Sequence, residues 1–387
     1  MRALLLSVTA GQGHNMCAKA MEEALSARGV ECTTLDTVKF INPPTGKLVD
    51  KGYLTMGKKV PKIWGAVYNS AVKFSEKGYG ISPDSSALRM ICHKLLEYIQ
   101  VFQPDMIICT HVFASQMVTA LRASSDIDIP VIGINTDFSL HPFWEDVDQN
   151  YLVLGCDKMY YSVVQRGIEQ EKILPYGIPV RQRFNRRILP QQGRKEIGWE
   201  EKQTLCIMGG SMGFGNMHQD VLALDALPLD FQMVVICGSN LELYNQLVAD
   251  RDYGRLSKTT YLYAFTDRVD DIMRASDAVC TKPGGLSTSE TLAVGRPLVL
   301  LDPIPGLEEF NAWFLVNHGV AIRTGKQYPL NEAIFNLFHD ERRMEEILRA
   351  QTLFFPNDSA NTLANFIMDR FLTHSKKEEH YSLGEQF

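Results

Sequence analysis

Residues 278–301 have the pattern of a buried strand, a glycine turn, a helix and a second buried strand. The Pro283-Gly284-Gly285 turn ends the first apolar run, and Ser287 is the predicted N-cap of the helix. A glycine turn before a helix presents free backbone N–H groups and the positive end of the helix dipole, which suits a phosphate or diphosphate. Glu290, one turn further on, could accept both hydroxyl groups of a ribose. The same pattern also fits an ordinary turn with a solvent-facing glutamate.

Two further glycine-rich loops lie between a predicted strand and a predicted helix. Residues 9–15 follow the apolar run 1–8, and residues 209–216 follow the apolar run 204–208. Each loop opens a series of alternating strands and helices, which predicts an α/β fold with two Rossmann-like domains facing each other across a cleft. The predicted segments are the domains 1–185 and 200–355, a linker at 181–203, a helix at 356–373 that returns to the first domain, and a polar tail at 374–387.

The composition is that of a soluble globular protein, because 45% of the 387 residues are hydrophobic and 22% are charged. The net charge of −6 gives no reason to expect a nucleic-acid partner. The eight cysteines are scattered, which favours reduced thiols in the core over disulfides or a metal site. With no secretion signal and no run of 18 apolar residues, we expect a cytoplasmic protein whose membrane contact, if any, is peripheral.

Four polar side chains follow predicted strands of the first domain: His14, His111, Asp137 and His141. Functional groups of open α/β sheets lie beyond the carboxyl ends of the strands, so these four predict a site at one sheet edge. A lone histidine in such a loop would more often be a capping residue. A nicotinamide cofactor is disfavoured: Asp36 is suitably placed, but the first loop lacks the third glycine of the dinucleotide fingerprint.

Residues 42–79 interleave lysines with aromatic residues in a chain that is acidic overall. This pattern fits a solvated basic face over core aromatics, and it also fits an amphipathic surface that docks on anionic lipid. We favour the lipid surface, with Lys58, Lys59, Lys62 and Trp64 as its membrane-contacting residues.

An ordered set of motifs spans roughly residues 1–370. It comprises Gly11-Gln-Gly-His14, Asn135-Thr-Asp137 with His141-Pro-Phe-Trp144, Gly177-Ile-Pro-Val-Arg181, Gly209-Gly-Ser-Met-Gly213, Phe265-Thr-Asp267, Thr281-Lys-Pro-Gly-Gly285 with Ser289-Glu290, and Pro305-Gly306 with Glu308 and Asn311. Together they resemble the GT-B glycosyltransferases of the monogalactosyldiacylglycerol synthase and processive diacylglycerol glucosyltransferase group, which is related to MurG.

The resemblance implies an inverting transfer of a hexose from UDP-glucose or UDP-galactose to diacylglycerol or a glycosylated diacylglycerol. The enzyme would be peripheral on the inner face of the cell membrane and would need no metal or other cofactor. Backbone N–H groups and cations would then neutralise the leaving diphosphate. The matching donor-side residues are Arg181, Gly209, Gly210, Ser211, Met212, Gly213, Phe265, Lys282, Gly284, Gly285, Ser287, Glu290, Glu308 and Asn311.

On the acceptor side, inversion requires a general base opposite the leaving group. His14 matches the loop histidine of the family and is preferred, with Asp137 as the other candidate. Gly13, His141 and Trp144 are expected to shape the acceptor site or its membrane contact.

One departure concerns the donor sugar, because Leu307 stands where the family commonly has glutamine beside Glu308.

Three alternatives remain beside glycolipid synthesis. The chain could glycosylate a non-lipid acceptor, epimerise a UDP-sugar, or bind a UDP-sugar as a non-catalytic regulatory protein.

Overall fold

The computed structural model describes residues 1–9, 12–41, 86–124, 126–210, 216–303, 306–356 and 358–372, with residues 86–91 and 307 described by their backbone alone. Within these ranges the chain forms two parallel six-stranded sheets with helices packed around them. The α/β class with two Rossmann-like domains, predicted from the paired strand–loop–helix series, is therefore confirmed.

The first sheet has the order β2-β1-β3-β4-β5-β6. Its strands are β1 Arg2–Ser7, β2 Glu31–Asp36, β3 Met106–Cys109, β4 Val131–Ile134, β5 Tyr151–Val153 and β6 Ile173–Leu174. Its described helices are α1 Gly13–Ser26, α2 Thr37–Ile41, α3 Ser86–Phe102, α4 Val112–Ala123 and α5 Tyr160–Val164, with 3-10 turns at Pro142–Trp144, Asp157–Met159, Gln170–Lys172 and Gln182–Asn185. The inner strands β3 and β4 are buried at every residue, as their apolar runs predict for a parallel sheet covered on both faces.

The second sheet has the order β12-β11-β10-β7-β8-β9. Its strands are β7 Thr204–Met208, β8 Gln232–Ile236, β9 Thr260–Tyr263, β10 Ala278–Thr281, β11 Leu298–Leu300 and β12 Ala321–Arg323. The helices of this half are α6 Pro190–Ile197, α7 Met217–Asp225, α8 Leu241–Asp252, α9 Val269–Ala275, α10 Gly285–Val294, α11 Leu307–Asn317, α12 Leu330–His339 and α13 Glu341–Phe354. They are followed by α14 Ser359–Ile367 and a π-helical turn at Met368–Leu372.

Each sheet has one point at which the strand order reverses direction. In the first sheet this topological switch point lies between β1 and β3, and in the second it lies between β7 and β10. Crevices at such points are where open α/β sheets bind ligands. The loops after these four strands therefore mark the two halves of a candidate site.

The predicted linker at residues 181–203 is wrong in part, because this segment contains α6 and packs against the second domain. Arg194 of α6 is 2% exposed and pairs with Asp277 at 2.7 Å. Gly193 lies so close to α9 that an added Cβ would be 2.7 Å from the Arg274 carbonyl oxygen. The polar sequence suggests an exposed segment, but the Arg194 guanidinium is buried and neutralised by its ion pair with Asp277.

The C-terminal helix returns to the first domain. Arg28, just after the end of α1, donates to the Asn361 side chain at 2.8 Å and to the Asn365 side chain at 2.9 Å, both on α14. Ser359 Oγ donates to the Ile178 carbonyl oxygen at 2.8 Å. The helix predicted to cross back is therefore confirmed.

The eight cysteines are free thiols and seven of them are buried, which agrees with their prediction as core residues. Of the helices in the described ranges, none is both long enough and apolar enough to span a bilayer.

Candidate active site

His14 lies at the β1/β3 switch point, in the first turn of α1. Its Nδ1 is 2.8 Å from the Thr110 carbonyl oxygen beyond β3 and 2.9 Å from Thr136 Oγ1 beyond β4. A carbonyl oxygen can only accept a hydrogen bond, so Nδ1 of the neutral ring carries the proton. Nε2 then carries the lone pair, and it is the nitrogen that can accept a proton from a substrate.

The protonation state of His14 also suits a base. Burial lowers the pKa of the imidazole below its ordinary 6.5, and the hydrogen bond to Thr110 acts in the opposite direction. The ring is therefore neutral at physiological pH, with Nε2 available as a proton acceptor.

The other two histidines of the predicted cluster cap helices. His111 Nδ1 accepts the Phe113 N–H at 3.1 Å, and His141 Nδ1 accepts the Phe143 N–H at 3.2 Å. Burial is the largest cause of a low pKa for both, well below 6.5 for His111 and about 4 for His141. The His111 ring lies edge-on to His14 at 4.4 Å between centroids, so it forms one wall of the base site.

Asp137 faces the second domain. Its Oδ1 accepts a hydrogen bond of 2.8 Å from the Asn311 amide on α11. Burial raises the pKa of the Asp137 carboxyl to about 7, Asn311 lowers it and Glu308 raises it. The structure thus brings Asp137 together with two predicted donor-side residues.

The loops at the β7/β10 switch point carry the predicted donor-side lysine and glycines. Lys282, directly after β10, is 9% exposed, and its Nζ is 2.8 Å from Glu308 Oε1 at the start of α11. Gly210, after β7, has φ +72°, and a Cβ there would lie 3.7 Å from Lys282 Cε. The two loops therefore meet around one ammonium group.

The N-terminus of α10 completes this half of the site, but Ser287 is not its cap. The helix begins at Gly285 with Gly284 as N-cap, and Ser287 lies in the first turn. The first backbone bond of the helix runs from Thr288 N to Gly284 O, so the N–H groups of Gly285, Leu286 and Ser287 precede it. Position 285 must be glycine for α10 to begin here, because a Cβ at that position would be 1.8 Å from the Thr136 carbonyl oxygen.

Glu290 is 8% exposed rather than solvent-facing, which removes the simplest alternative for this residue. Burial raises the pKa of its carboxyl to about 8, Arg183 lowers it and Asp270 raises it. The charged form of such a buried carboxyl is stabilised by hydroxyl groups that donate hydrogen bonds to it, and a ribose would supply them.

Phe265 and Arg181 lie at the margin of the donor half. Phe265 is 72% exposed in the loop after β9, where a base could stack on its ring. Arg181 precedes the turn Gln182–Asn185; its Nη1 is 4.0 Å from Glu23, and its buried Nε has no hydrogen-bond partner among the described residues.

Asn311 was expected to contact the donor sugar, but its side-chain amide is hydrogen-bonded within the protein. It is fully buried, and besides Asp137 it donates to the Pro283 carbonyl oxygen at 3.0 Å and accepts from the Phe138 N–H at 2.9 Å. In this conformation the side chain joins the two domains.

Trp144 corrects an expectation about the acceptor surface. It is 4% exposed, and an added Cβ on Gly133 of β4 would be 2.6 Å from its ring, so the indole lies in the core. The 3-10 turn that His141 caps directs it inward. Gly13 is partly exposed, and a Cβ added there would lie 3.7 Å from Leu286 Cβ across the domain boundary.

Several predicted residues lie outside the described part of the chain. They are Ser211, Met212 and Gly213 of the second glycine loop, Lys58, Lys59, Lys62 and Trp64 of the basic stretch, and the side chain of Leu307.

Three residues of the site were not singled out from the sequence: Thr110, Thr136 and Arg183. Thr110 and Thr136 each follow a buried strand, at the edge where His14 lies, and that position was an available signal. Arg183 is 84 residues from Asp267, whose carbonyl oxygen it contacts at 2.5 Å, so only the tertiary structure identifies it.

Asp36, the possible nucleotide-binding acid, holds the first loop instead. Its carboxylate accepts hydrogen bonds from the Thr9 N–H at 3.2 Å and from the Lys39 N–H at 3.1 Å.

Within the described ranges, no three His, Cys, Asp or Glu side chains are grouped so that they could hold a metal ion. Metal-free chemistry remains a prediction.

Comparison with known proteins gives a match on each half of the chain. Residues 14–180 match the family described as monogalactosyldiacylglycerol (MGDG) synthase, and residues 204–362 match the glycosyltransferase family 28 C-terminal domain. The chain is 27% identical over 384 residues to a processive diacylglycerol beta-glucosyltransferase of Bacillus pumilus (strain SAFR-032), with 97% of each chain covered. It is 26% identical over 386 residues to the Bacillus subtilis (strain 168) protein of the same name, again with 97% of each chain covered. Among solved structures, Acinetobacter baumannii MurG has a TM-score of 0.64 at 14% identity, covering 95% of this chain and 99% of MurG.

Two Rossmann-like domains that meet at their switch points, with a C-terminal helix returning to the first domain, define the GT-B fold. The family 28 C-terminal domain identifies the chain as a glycosyltransferase. Within that class, the N-terminal half of the chain matches the monogalactosyldiacylglycerol synthase family over residues 14–180, and the C-terminal half is a glycosyltransferase family 28 domain over residues 204–362.

Proposed function

We propose that this glycosyltransferase moves a hexose from a UDP-sugar to diacylglycerol, or to a glycosylated diacylglycerol, with inversion at the anomeric carbon. The observation that carries the proposal is the meeting of the two switch points. A neutral histidine follows β1, and a lysine and a helix N-terminus follow β10, with Asp137 and Asn311 in contact between them.

The donor would lie on the second domain. Its diphosphate would accept hydrogen bonds from the first turn of α10 and the Gly209-Gly210 loop, and Lys282 and Arg181 would neutralise its charge. Glu290 would accept the ribose hydroxyls, and Phe265 would stack on the uracil. The Lys282–Glu308 pair, 2.8 Å apart, would separate as Lys282 turns to the diphosphate and Glu308 to the sugar.

The acceptor hydroxyl would give its proton to Nε2 of His14 as its oxygen attacks the anomeric carbon. The bond to the UDP oxygen breaks in the same step, and UDP leaves with the electron pair. Asp137 is less suited to this role because its Oδ1 is bonded to Asn311 and it faces Glu308. We assign Asp137 to the sugar side of the site.

The lipid acceptor is supported by the sequence relatives, which are named processive diacylglycerol beta-glucosyltransferases. UDP-glucose carries its sugar in α linkage, so a β-glucoside product implies inversion. The lysine-rich stretch 42–79 would hold the enzyme on an anionic membrane surface, in line with peripheral action at the inner face.

The test is UDP release from UDP-glucose and from UDP-galactose, each with and without diacylglycerol in anionic vesicles, in the presence and absence of EDTA. The proposal expects turnover with lipid and one donor, unaffected by EDTA. UDP release without lipid would mean transfer of the hexose to water, and conversion of the UDP-sugar to its epimer without UDP release would favour epimerisation. UDP binding without any turnover would favour a non-lipid acceptor or a regulatory protein.

A further inference from the structure

Thr136 touches both halves of the site. It follows β4 and is 7% exposed. Its Oγ1 is 2.9 Å from His14 Nδ1, and its carbonyl oxygen faces Gly285, where an added Cβ would be only 1.8 Å away. One residue therefore contacts the base on one side and the first residue of the donor helix α10 on the other.

The next two residues are held by the second domain as well. Asn311 donates to the Asp137 carboxylate at 2.8 Å and accepts from the Phe138 N–H at 2.9 Å. The same amide donates to the Pro283 carbonyl oxygen at 3.0 Å, in the turn that precedes α10. Residues 136–138 are thus fixed against the turn and helix that would bind the diphosphate.

We propose that Thr136 is a positioning residue through which the donor-binding domain sets the orientation of His14. The inference rests on the proposed function, since it takes His14 as the base. The Nδ1–H of His14 is shared between two acceptors, the Thr110 carbonyl oxygen and Thr136 Oγ1. Thr110 belongs to the same domain as His14, whereas the position of Thr136 depends on contact with Gly285 and Asn311.

The consequence is a base that is fully oriented only when the two domains are in contact. With the domains apart, the His14 ring would keep one acceptor and gain rotational freedom. Attack by a misaligned acceptor, or by water, on a donor bound in the open enzyme would be slowed, because small errors in alignment are costly.

The test compares Thr136→Val, which removes the acceptor at similar volume, with Thr136→Ser, which keeps it. The valine variant is expected to lose about tenfold to a hundredfold in kcat with little change in UDP affinity. In the wild type the Thr136 oxygen stabilises the protonated His14 ring. Without it the pKa of His14 should fall, and the acid limb of the pH profile should move to lower pH. The serine variant should restore both values.

Thr119→Val is the matched control. Thr119 is a buried threonine of the same domain, 5% exposed, whose hydroxyl donates to the Ser115 carbonyl oxygen and accepts from the Asp148 N–H. It should lose stability while keeping kcat and the pH profile. Equal kinetic effects at both sites, or no rescue by serine, would overturn the proposal and leave Thr136 a structural residue.

A second readout does not depend on turnover. The side-chain 15N shifts of His14 should report the Nδ1–H tautomer in the wild type and a changed Nδ1 environment in Thr136→Val. If the wild type shows no lipid-dependent transfer, the proposed function fails, while unchanged His14 shifts in Thr136→Val contradict the positioning role by themselves.

Discussion

His14 and Asp137 differ in the pH at which each becomes a base. Burial lowers the pKa of His14 below 6.5 and raises that of Asp137 to about 7. A base acts in its deprotonated form, so activity rises as pH increases through its pKa. With His14 as the base, the acid limb of kcat/KM should have its midpoint below 6.5.

The matched variants are His14→Gln and Asp137→Asn. We expect His14→Gln to lose about a hundredfold to ten-thousandfold in kcat, the usual contribution of a general base. Asp137→Asn should retain the low-pH limb. A wild-type limb near pH 7 that Asp137→Asn abolishes would instead make Asp137 the base.

We expect Glu290 to make donor binding pH-dependent. The pKa of its carboxyl is about 8 in the folded protein and 4.5 ordinarily. Between pH 4.5 and 8, the carboxyl is therefore protonated in the folded protein without donor. Stability from this group is therefore lost as pH rises toward 8. Ribose hydroxyls favour the carboxylate, so UDP affinity should increase as pH rises through that window.

Calorimetric titration of UDP at several pH values measures this effect. Glu290→Gln should weaken binding and flatten its pH dependence, whereas Glu309→Gln, on the surface of α11, should change neither. Equal pH dependence in wild type and Glu290→Gln would show that another group releases the proton.

At the scale of elements, the contact between α10 and the first domain tolerates no side chain at Gly285. An added Cβ would meet the Thr136 carbonyl oxygen at 1.8 Å, whereas a Cβ on the adjacent Gly284 has open space. Gly285→Ala must therefore push the domains apart, at a cost of about 1–3 kcal/mol for overpacking.

We expect Gly285→Ala to reduce transfer strongly while keeping each domain folded, and Gly284→Ala to leave the approach of the two domains unchanged. Small-angle scattering should show a larger radius of gyration for Gly285→Ala alone. Full activity of Gly285→Ala would contradict the close approach of the two domains.

At the scale of the whole molecule, α14 ties the chain end to the first domain. Arg28 makes charge-assisted hydrogen bonds to Asn361 and Asn365, so Arg28→Ala should lower the free energy of unfolding by about 1–2 kcal/mol. Urea unfolding measures the loss, with Arg251→Ala, which breaks a surface pair to the adjacent Asp252, as a control expected to change little.

The sequence predicted the strands and glycine loops well because strands buried on both faces are continuous apolar runs. His14 and Glu290 could be named because each lies next to such a loop, and Lys282 because it matches a basic position of the family that the motifs resemble. The Asp137–Asn311 contact spans 174 residues and depends on how the domains meet, which no local pattern encodes. Trp144 was misplaced because its burial depends on the space above Gly133.

The most direct test of the account is UDP release by wild-type enzyme and His14→Gln, with and without diacylglycerol in anionic vesicles. We expect turnover of one UDP-hexose that requires the lipid and falls at least about a hundredfold in the variant. Lipid-independent turnover, or a variant as active as the wild type, would contradict it.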